Sequence, residues 1–243
     1  MGAGRTGDEH VREWAGLHLT EAPTGFVGGW LRASAAVARP LARAGVSPNA
    51  VTVAALVAAA AAVPLALVDG WPGPAAACLA VTVSGLLDSL DGAVAVQAGR
   101  ATKVGFLLDS ALDRLADAAY PAALALVAGP TKSTATLAVA ATAVAWYLEY
   151  VRARASLATA DGAATAARPV RQVITPGERP TRIVLTAVGL GLPALAAAAL
   201  WGQVVIVGAS ALFLLGHAIL RLRQLDREAD QTRSTGAPPA ATG

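Results

Sequence analysis

Aspartates are concentrated in one short part of the chain, where five of the sixteen acidic residues fall between positions 88 and 117. The five are Asp88, Asp91, Asp109, Asp113 and Asp117. Their spacings of three and four residues place each group on one side of a helix. Clustered carboxylate oxygens suit hard divalent cations such as Mg²⁺ and Mn²⁺. Metals held in this way usually also bind phosphate oxygens of a substrate. The chemistry indicated is a displacement at phosphorus, in which the metal ions stabilise the attacking and leaving oxygens.

The positions of these aspartates within apolar segments predict a common depth in a membrane. At about 1.5 Å per residue, Asp88 lies ~24 Å past Pro72 at the outer boundary, and so about 6 Å beneath the opposite surface of a core ~30 Å thick. Asp109 and Asp113 enter from that surface and reach ~6 and ~12 Å. Each ionised carboxylate there costs about 2.5–3.5 kcal/mol, so protons or cations must neutralise the group. With no cysteine or histidine nearby, zinc is a poor candidate.

The composition is that of a membrane protein, with 55% apolar residues, 14% charged residues and a mean hydropathy of +0.54. Soluble domains carry about 45–50% apolar residues and about 25% charged residues. The single cysteine excludes an internal disulfide. A net charge of only +3, without a basic soluble face, argues against a nucleic-acid partner.

Six apolar stretches are long enough to cross a hydrocarbon core, which predicts an all-α, polytopic membrane protein with six transmembrane helices. Their approximate ranges are 48–69, 74–96, 105–128, 133–152, 181–200 and 202–220. Among the basic residues, only Lys132 lies in a loop on the far side of the even-numbered crossings. The positive-inside rule therefore predicts a cell-membrane protein with both termini in the cytoplasm, and places the aspartates at the cytoplasmic face.

The segment before the first span predicts an N-terminal amphipathic juxtamembrane helix, and a basic linker without this role is the alternative. Trp30, Val37 and Leu41 share one face at helical spacing, and arginines occupy the other. Pro40 is expected to kink or divide this helix. Gly45 is expected to end it.

The domain organisation follows from these elements. We predict a polar N-terminal segment (1–29), the juxtamembrane helix (30–46), a six-helix transmembrane catalytic domain (47–223) and a disordered C-terminal tail (224–243).

Written out, the acidic stretch reads Asp88-x2-Asp91-Gly92-x2-Ala95-Val96-x8-Gly105-x3-Asp109-x3-Asp113. It resembles the signature of the CDP-alcohol phosphatidyltransferases, D-x2-D-G-x2-A-R-x8-G-x3-D-x3-D. Every element and gap matches except one, because Val96 stands where the family has arginine. The sequence Gly-Val-Ser-Pro-Asn-Ala-Val-Thr at 45–52 is similar to the family's usual start of the first span, G-V-x-P-x-x-V-T. The resemblance covers most of residues 30–222.

The resemblance implies transfer of a phosphatidyl group from CDP-diacylglycerol, or a similar CDP-lipid, to the hydroxyl of a small polar acceptor, with release of CMP. It implies a homodimer and two divalent ions, Mg²⁺ or Mn²⁺, held by Asp88, Asp91, Asp109 and Asp113. It also implies that Asp113 is the general base. Gly92, Ala95 and Gly105 would allow close approach of the nucleotide, as small residues physically permit. Asp117 lies outside the signature and is expected to have a supporting or structural role.

Two basic segments suggest an anionic acceptor. Residues 149–156 and 178–182 resemble the S-Y-x-K/R-A-R-A-E and E-R-x-x-R segments of the phosphatidylinositol phosphate synthase branch. This resemblance implies that inositol phosphate is bound by Arg152, Arg154, Arg179 and Arg182. Glu149 replaces that branch's serine, and Ser156 replaces its glutamate. Arginines at this edge could instead simply attract anionic membrane lipids.

Several alternatives stay open at this point. The acceptor could be of the phosphatidylglycerophosphate synthase type. Val96 offers no hydrogen-bond donor to a diphosphate, so the chain could be an impaired or non-catalytic relative unless Arg100 or Lys103 compensates. A cation transporter could also use membrane carboxylates, but it would place them near the midplane or in two similar halves. A UbiA-type prenyltransferase fits poorly, because its two acidic motifs lie on widely separated helices.

Overall fold

The computed structural model describes residues 7–9, 11–12, 25–160 and 173–235, and this part of the chain is helical with no strand. The all-α prediction is confirmed. The helices are α1 (Gly25–Arg43), α2 (Pro48–Leu65), α3 (Pro72–Ala98), α4 (Lys103–Val127), α5 (Lys132–Ala160), α6 (Arg179–Gly191) and α7 (Ala196–Thr235), with a 3₁₀ turn at Pro193–Leu195 before α7.

Four helical segments are long and apolar enough to cross a membrane: Pro48–Leu65, Pro72–Ala98, Lys132–Ala158 and Pro193–Gln231. Large apolar side chains such as Val57 and Leu212 point outwards, at 62% and 69% exposed. Small residues pack inside, including Ala59 and Ala77, which allows helices to approach closely where lipid offers no hydrophobic driving force. The chain is therefore a multi-pass membrane protein.

Helices α6 and α7 are divided earlier than the sequence predicts. The expected spans were 181–200 and 202–220, but α6 ends at Gly191 and α7 begins at Ala196. Pro193 disfavours helical geometry at Leu192, which has φ −126° and ψ 81°. The turn is tight, since a Cβ at Gly189 would lie 2.8 Å from the Ala199 Cβ.

Helix α7 also continues beyond the predicted end of the catalytic domain. A disordered tail was expected from residue 224, but the helix runs to Thr235. Residues 224–233 include leucine, glutamate, arginine, glutamine and alanine, which are all good helix formers. Only the residues from Ser234 onwards have the Ser/Thr/Gly/Pro/Ala composition of the predicted tail. Residues 236–243 lie outside the described part of the chain.

Helix α1 begins before the predicted residue 30 and runs unbroken through Pro40, so the proline does not divide it. Its end is as predicted: Gly45 has φ +77°, a conformation that favours glycine. The face that packs against α3 carries the buried Ala38, which contacts Ala93 and Val94. Val37, which was expected on the apolar face, is 53% exposed. The position of this helix at the membrane surface stays a prediction.

Among the described residues, an exposed ion pair joins the N-terminal segment to α1. Arg32 Nε donates a hydrogen bond to Asp8 Oδ1 at 2.8 Å. This hydrogen bond and the positive charge of Arg32 lower the pKa of Asp8.

A buried polar contact joins the three helices beneath the aspartates. The Ser84 hydroxyl of α3 donates to the Ala55 carbonyl of α2 at 2.8 Å and lies 2.9 Å from the Tyr120 hydroxyl of α4. Tyr120 is 1% exposed. Since buried hydroxyls need partners, this contact fixes α3 against α2 and α4, and with them the carboxylates nearer the helix ends.

Candidate active site

Three aspartates from two helices come together as predicted. One carboxylate oxygen from each of Asp88 on α3 and Asp109 and Asp113 on α4 lies within 4.8 Å of the others. We call these residues the aspartate trio. The α3–α4 connection is short, so the end of α3 and the start of α4 are neighbours. Spacing of four residues then places Asp109 and Asp113 on one face of α4.

Asp91 lies beside the trio and is 6% exposed. Its Oδ1 accepts a hydrogen bond from the Gly92 amide at 2.5 Å. Its carboxylate neighbours that of Asp109 and the hydroxyl of Thr52. Asp91 Oδ2 and Asp109 Oδ1 are buried and have no hydrogen-bond partner in the described part of the chain. All four predicted metal ligands therefore lie in one region.

The donor set of this region fits a hard divalent cation. It offers oxygens from four carboxylates, and two buried oxygens lack a donor, which is costly unless a cation satisfies them. Among the described residues, Cys78 bonds to the Ala187 carbonyl and His217 stacks on Phe213, so neither belongs to the cluster. Mg²⁺ or Mn²⁺ matches these oxygens better than zinc does.

The predicted nucleotide-contact residues lie at the same end of α3 and α4. Gly92 borders open space, since a Cβ there would meet no atom within 4 Å. Gly105 is more enclosed, because a Cβ would lie 3.1 Å from Thr102 Oγ1 and 3.3 Å from Asn49 Oδ1. Thr102 caps α4 by accepting a hydrogen bond from the Gly105 amide at 3.0 Å. Neither Asn49 nor Thr102 was predicted from the sequence, although a threonine before a helix is a recognisable capping signal.

The position of the missing signature arginine is buried. Val96 is 4% exposed and offers only apolar atoms. Arg100 and Lys103, the two residues considered as substitutes, are both exposed.

Arg179, the first residue of α6, lies against the aspartate trio. Its Nη1 is 2.5 Å from Asp88 Oδ1, and the same nitrogen forms an ion pair with Asp113 Oδ1. The Arg179 side chain is 11% exposed. The structure therefore brings one of the four predicted acceptor arginines into direct contact with two predicted metal ligands.

The other predicted acceptor arginines occupy different surroundings. Arg152 Nη2 is 2.5 Å from Glu178 Oε1, and its Nη1 donates to the Val173 carbonyl at 2.9 Å. Arg182 is only 2% exposed. Arg154 is exposed at the end of α5. The four arginines thus do not form a single group around one point.

Beside Asp113 and one turn deeper, four charged residues form an alternating set: Arg114, Asp117, Glu149 and Arg182. We call this set the buried ion ring after its two buried members, Asp117 and Arg182. Asp117 Oδ2 is 3.3 Å from Arg114 Nη2, and Asp117 Oδ1 is 3.3 Å from Arg182 Nη2. Glu149 Oε1 closes the ring at 3.6 Å from Arg182 Nη2 and 4.0 Å from Arg114 Nη1. The ring joins α4, α5 and α6 directly behind the aspartate trio.

The ring connects to its surroundings on both sides. Arg114 Nη2 lies 4.0 Å from Asp113 Oδ2, and the Arg114 carbonyl accepts a hydrogen bond from Trp146 Nε1 at 2.9 Å. Glu149 Oε2 lies 3.6 Å from Arg152 Nε. This role of Arg114 and Glu149 was not predicted from the sequence. The three-residue spacing of Arg114 and Asp117 was a visible signal, but the pairing of α4 with α5 and α6 was not.

The segment before α6 is fixed to both α5 and α7. Glu178 Oε1 accepts hydrogen bonds from the Thr175 amide and hydroxyl, each at 3.0 Å. The Gly177 amide donates to Ser210 Oγ on α7 at 2.9 Å. A side chain at Gly177 is excluded, since its Cβ would lie 2.8 Å from that oxygen. These contacts place Glu178, and with it the start of α6, beside Arg152.

A bundle of membrane helices with clustered carboxylates and arginines at one end defines a class of protein, namely an integral membrane protein with a candidate site for metal and phosphate. The model of the CDP-alcohol phosphatidyltransferase family matches residues 45–215, most of the chain. The chain therefore belongs to that family, and the resemblance found in the sequence is confirmed.

Similar curated proteins carry related names. An archaetidylinositol phosphate synthase of Aeropyrum pernix is 45% identical over 93 residues, 38% of this chain and 46% of the relative. A phosphatidylinositol phosphate synthase of Cutibacterium acnes is 37% identical over 135 residues, 54% and 63% of the two chains. A phosphatidylinositol phosphate synthase of Mycolicibacterium smegmatis is 33% identical over 170 residues, which are 67% of this chain and 69% of the relative. The match thus spans less than two thirds of each of the first two relatives.

Solved structures share the fold. The Mycobacterium tuberculosis phosphatidylinositol phosphate synthase with CDP-DAG bound has a TM-score of 0.59 and 24% identity, over 76% of this chain and 92% of that one. The structure of the same protein in complex with manganese and citrate has the same TM-score and identity, over 76% of this chain and 88% of that one.

Proposed function

We propose that this protein is a membrane phosphotransferase that moves a phosphatidyl group from CDP-diacylglycerol to the hydroxyl of a small polar acceptor and releases CMP. One observation carries the proposal: the carboxylate oxygens of the aspartate trio lie within 4.8 Å of one another, at the positions of the family signature. The acceptor oxygen forms a bond to the β-phosphorus, the bond from that phosphorus to CMP breaks, and the hydroxyl proton leaves to a base.

Two divalent cations, Mg²⁺ or Mn²⁺, would be held by Asp88, Asp91, Asp109 and Asp113. When bound, they supply charge stabilisation for the attacking and leaving oxygens. The manganese complex of the Mycobacterium tuberculosis protein supports this cofactor choice.

Asp113 is the proposed general base. Its side chain is 18% exposed, so a proton donor can reach it, and Arg179 and Arg114 flank it. A base must lie within about 2.6–3.2 Å of the proton-bearing oxygen during transfer. The acceptor hydroxyl would therefore bind between Asp113 and the nucleotide diphosphate.

The nucleotide would approach at Gly92, Ala95 and Gly105. The open space at Gly92 supports this placement, because a nucleotide can contact the α3 backbone there directly. The diphosphate would then lie beside Asp91 and Asp88. Val96 provides no donor to it, so this chain would bind the CDP-lipid without the signature arginine.

The proposed acceptor is inositol phosphate. The relatives' names support it, and so does Arg179, whose guanidinium lies close enough to the trio to contact an acceptor there. Arg152 and Arg154 would provide further positive charge from α5. Arg182 is buried in the ion ring, where it would hold the start of α6 in place. An acceptor of the phosphatidylglycerophosphate synthase type is the competing proposal, to be distinguished by assay.

The proposed topology has six crossings, with both termini and the site at the cytoplasmic face. Helix α4, with 25 residues, is about 37 Å long and can cross a core of ~30 Å despite its charges. Helix α6 and the 3₁₀ turn together reach about 26 Å. Helix α1 would lie at the membrane surface, and the protein would form a homodimer.

The test uses purified protein with CDP-diacylglycerol, Mg²⁺ or Mn²⁺, and one acceptor at a time: inositol phosphate, glycerol 3-phosphate, serine or inositol. We expect CMP release with inositol phosphate only, and its loss in Asp113→Asn. Release with glycerol 3-phosphate alone would establish the competing acceptor. Absence of CMP with every acceptor would overturn the proposal, and Val96→Arg would then show whether an impaired site is the reason.

A further inference from the structure

Arg179 holds a position that conflicts with metal binding by two of its neighbours. Its Nη1 pairs with both Asp88 and Asp113, which belong to the aspartate trio. A divalent cation such as Mg²⁺ needs carboxylate oxygens at about 2.0–2.1 Å in near-octahedral geometry. A guanidinium held between the same two carboxylates blocks that approach and repels the ion. The Arg179 guanidinium and a divalent metal ion therefore exclude one another at these carboxylate oxygens.

We propose that Arg179 is an exchangeable counter-ion: a divalent cation displaces it from Asp88 and Asp113, and the released guanidinium then binds the phosphate of the acceptor. The acceptor part of this inference rests on the proposed function. The exchange itself concerns only the carboxylates, the arginine and the metal.

The surroundings of Arg179 distinguish it from the other buried arginines. Arg182 is held by Asp117 and Glu149, and Arg152 by Glu178, Glu149 and a backbone carbonyl. None of these partners belongs to the predicted metal ligands. Arg179 instead pairs with two members of the trio, Asp88 and Asp113. Of the three, only Arg179 loses its ion-pair partners when metal binds.

The position of Arg179 also allows it to move. It is the first residue of α6, so no preceding turn of the same helix restricts its side chain. The preceding Glu178 is fixed by Thr175 and Arg152, which keeps the backbone in place during the exchange. The proposed movement is a change of the Arg179 side-chain rotamer.

This exchange couples the metal to the acceptor. Metal binding frees a phosphate-binding group, so metal and phosphate must each raise the affinity for the other by the same factor. Coupling of this kind typically amounts to about 5–150-fold. Arg179 also lowers metal affinity by competing for the carboxylates, so removing it should tighten metal binding.

The experiment measures Mn²⁺ affinity on the purified full-length chain by calorimetry, with no CDP-lipid present. We expect Arg179→Gln to bind Mn²⁺ at least about fivefold more tightly than the wild type. Arg179→Lys keeps the charge but lacks the planar fork, so its affinity should fall between the two. Arg223→Gln, an exposed arginine on α7, is the matched control and should leave the affinity unchanged. A second titration uses sulfate as a tetrahedral dianion, whose affinity should rise with Mn²⁺ in the wild type but not in Arg179→Gln.

The outcomes separate this inference from the proposed function. Equal or weaker Mn²⁺ binding by both Arg179 variants, with the wild type binding Mn²⁺, would overturn the exchange and leave the metal site intact. Mn²⁺-independent sulfate binding in the wild type would overturn the coupling. No Mn²⁺ binding by the wild type would overturn both the exchange and the metal site of the proposed function. If Arg179→Gln fails to fold, the comparison of Arg179→Lys with the wild type decides the exchange.

Discussion

Asp117 offers the sharpest test of how the site is supported. Its side chain is fully buried, and its two oxygens each lie 3.3 Å from a different arginine, Arg114 and Arg182. At an effective dielectric constant of about 20, an ion pair at this separation is worth roughly 5 kcal/mol before desolvation. Asp117→Asn removes the charge and preserves the shape. Arg182, itself 2% exposed, then keeps only the longer contact to Glu149.

Breaking a buried ion pair by removing one partner costs about 3–5 kcal/mol, because the other charge stays buried without compensation. For a chain of this size the corresponding loss in melting temperature is about 6–20 °C. The assay is thermal unfolding of the detergent-solubilised protein, followed by tryptophan fluorescence. Asp69→Asn is the matched control, since Asp69 is exposed in the α2–α3 loop and should change the melting temperature very little.

A loss of less than about 1 kcal/mol in Asp117→Asn would show that the buried carboxylate contributes no more than a surface ion pair does. Glu149→Gln allows a comparison of two carboxylates that pair with the same arginines. The Glu149 side chain is 26% exposed, so water can partly replace its charge, and the loss should be smaller than for Asp117→Asn. An equal or larger loss in Glu149→Gln would show that Glu149, and not Asp117, is the main partner of Arg182.

Three further predictions concern the catalytic machinery. Asp113→Asn should lower kcat about 10²–10⁴-fold, the usual contribution of a general base, and an unchanged kcat would exclude that role. Chelation of divalent ions should abolish CMP release and lower the melting temperature, since Mn²⁺ at 100 times its Kd stabilises the folded protein by about 2.7 kcal/mol. We expect Mn²⁺ or Mg²⁺, but not Zn²⁺, to restore CMP release. Gly92→Leu should raise the KM for CDP-diacylglycerol by filling the space where the nucleotide would approach. It should not lower the melting temperature, because a Cβ at Gly92 meets no atom within 4 Å and glycine inside a helix costs about 0.5–1 kcal/mol relative to alanine. A lower melting temperature in that variant would show that Gly92 is needed for folding instead.

Local spacing explains which parts of the site were predictable. The three- and four-residue intervals among Asp88, Asp91, Asp109 and Asp113 determine their helix faces, and the short α3–α4 connection brings those faces together. The cluster was therefore predictable from sequence. The end of α1 at Gly45 was predictable for a similar reason, since it depends on the conformation of one residue.

Contacts between distant segments were not predictable in this way. The buried ion ring joins Asp117 to Arg182 and Glu149, and nothing in the local pattern specifies which helices pack together. The contact of Arg179 with Asp88 and Asp113 likewise depends on the packing of α6 against α3 and α4. The break between α6 and α7 was missed because the apolar composition continues through Pro193. The backbone restriction that proline places on Leu192 outweighs that continuity.

The proposed reaction transfers a phosphatidyl group from CDP-diacylglycerol to inositol phosphate at the aspartate trio. The most direct measurement is mass-spectrometric detection of the lipid product after incubation of the purified protein with CDP-diacylglycerol, Mn²⁺ and inositol phosphate, alongside CMP release. We predict phosphatidylinositol phosphate and CMP in equal amounts from the wild type, and about 10²–10⁴-fold lower initial rates of both from Asp113→Asn. CMP release without the lipid product, or the same yield from Asp113→Asn, would contradict the account.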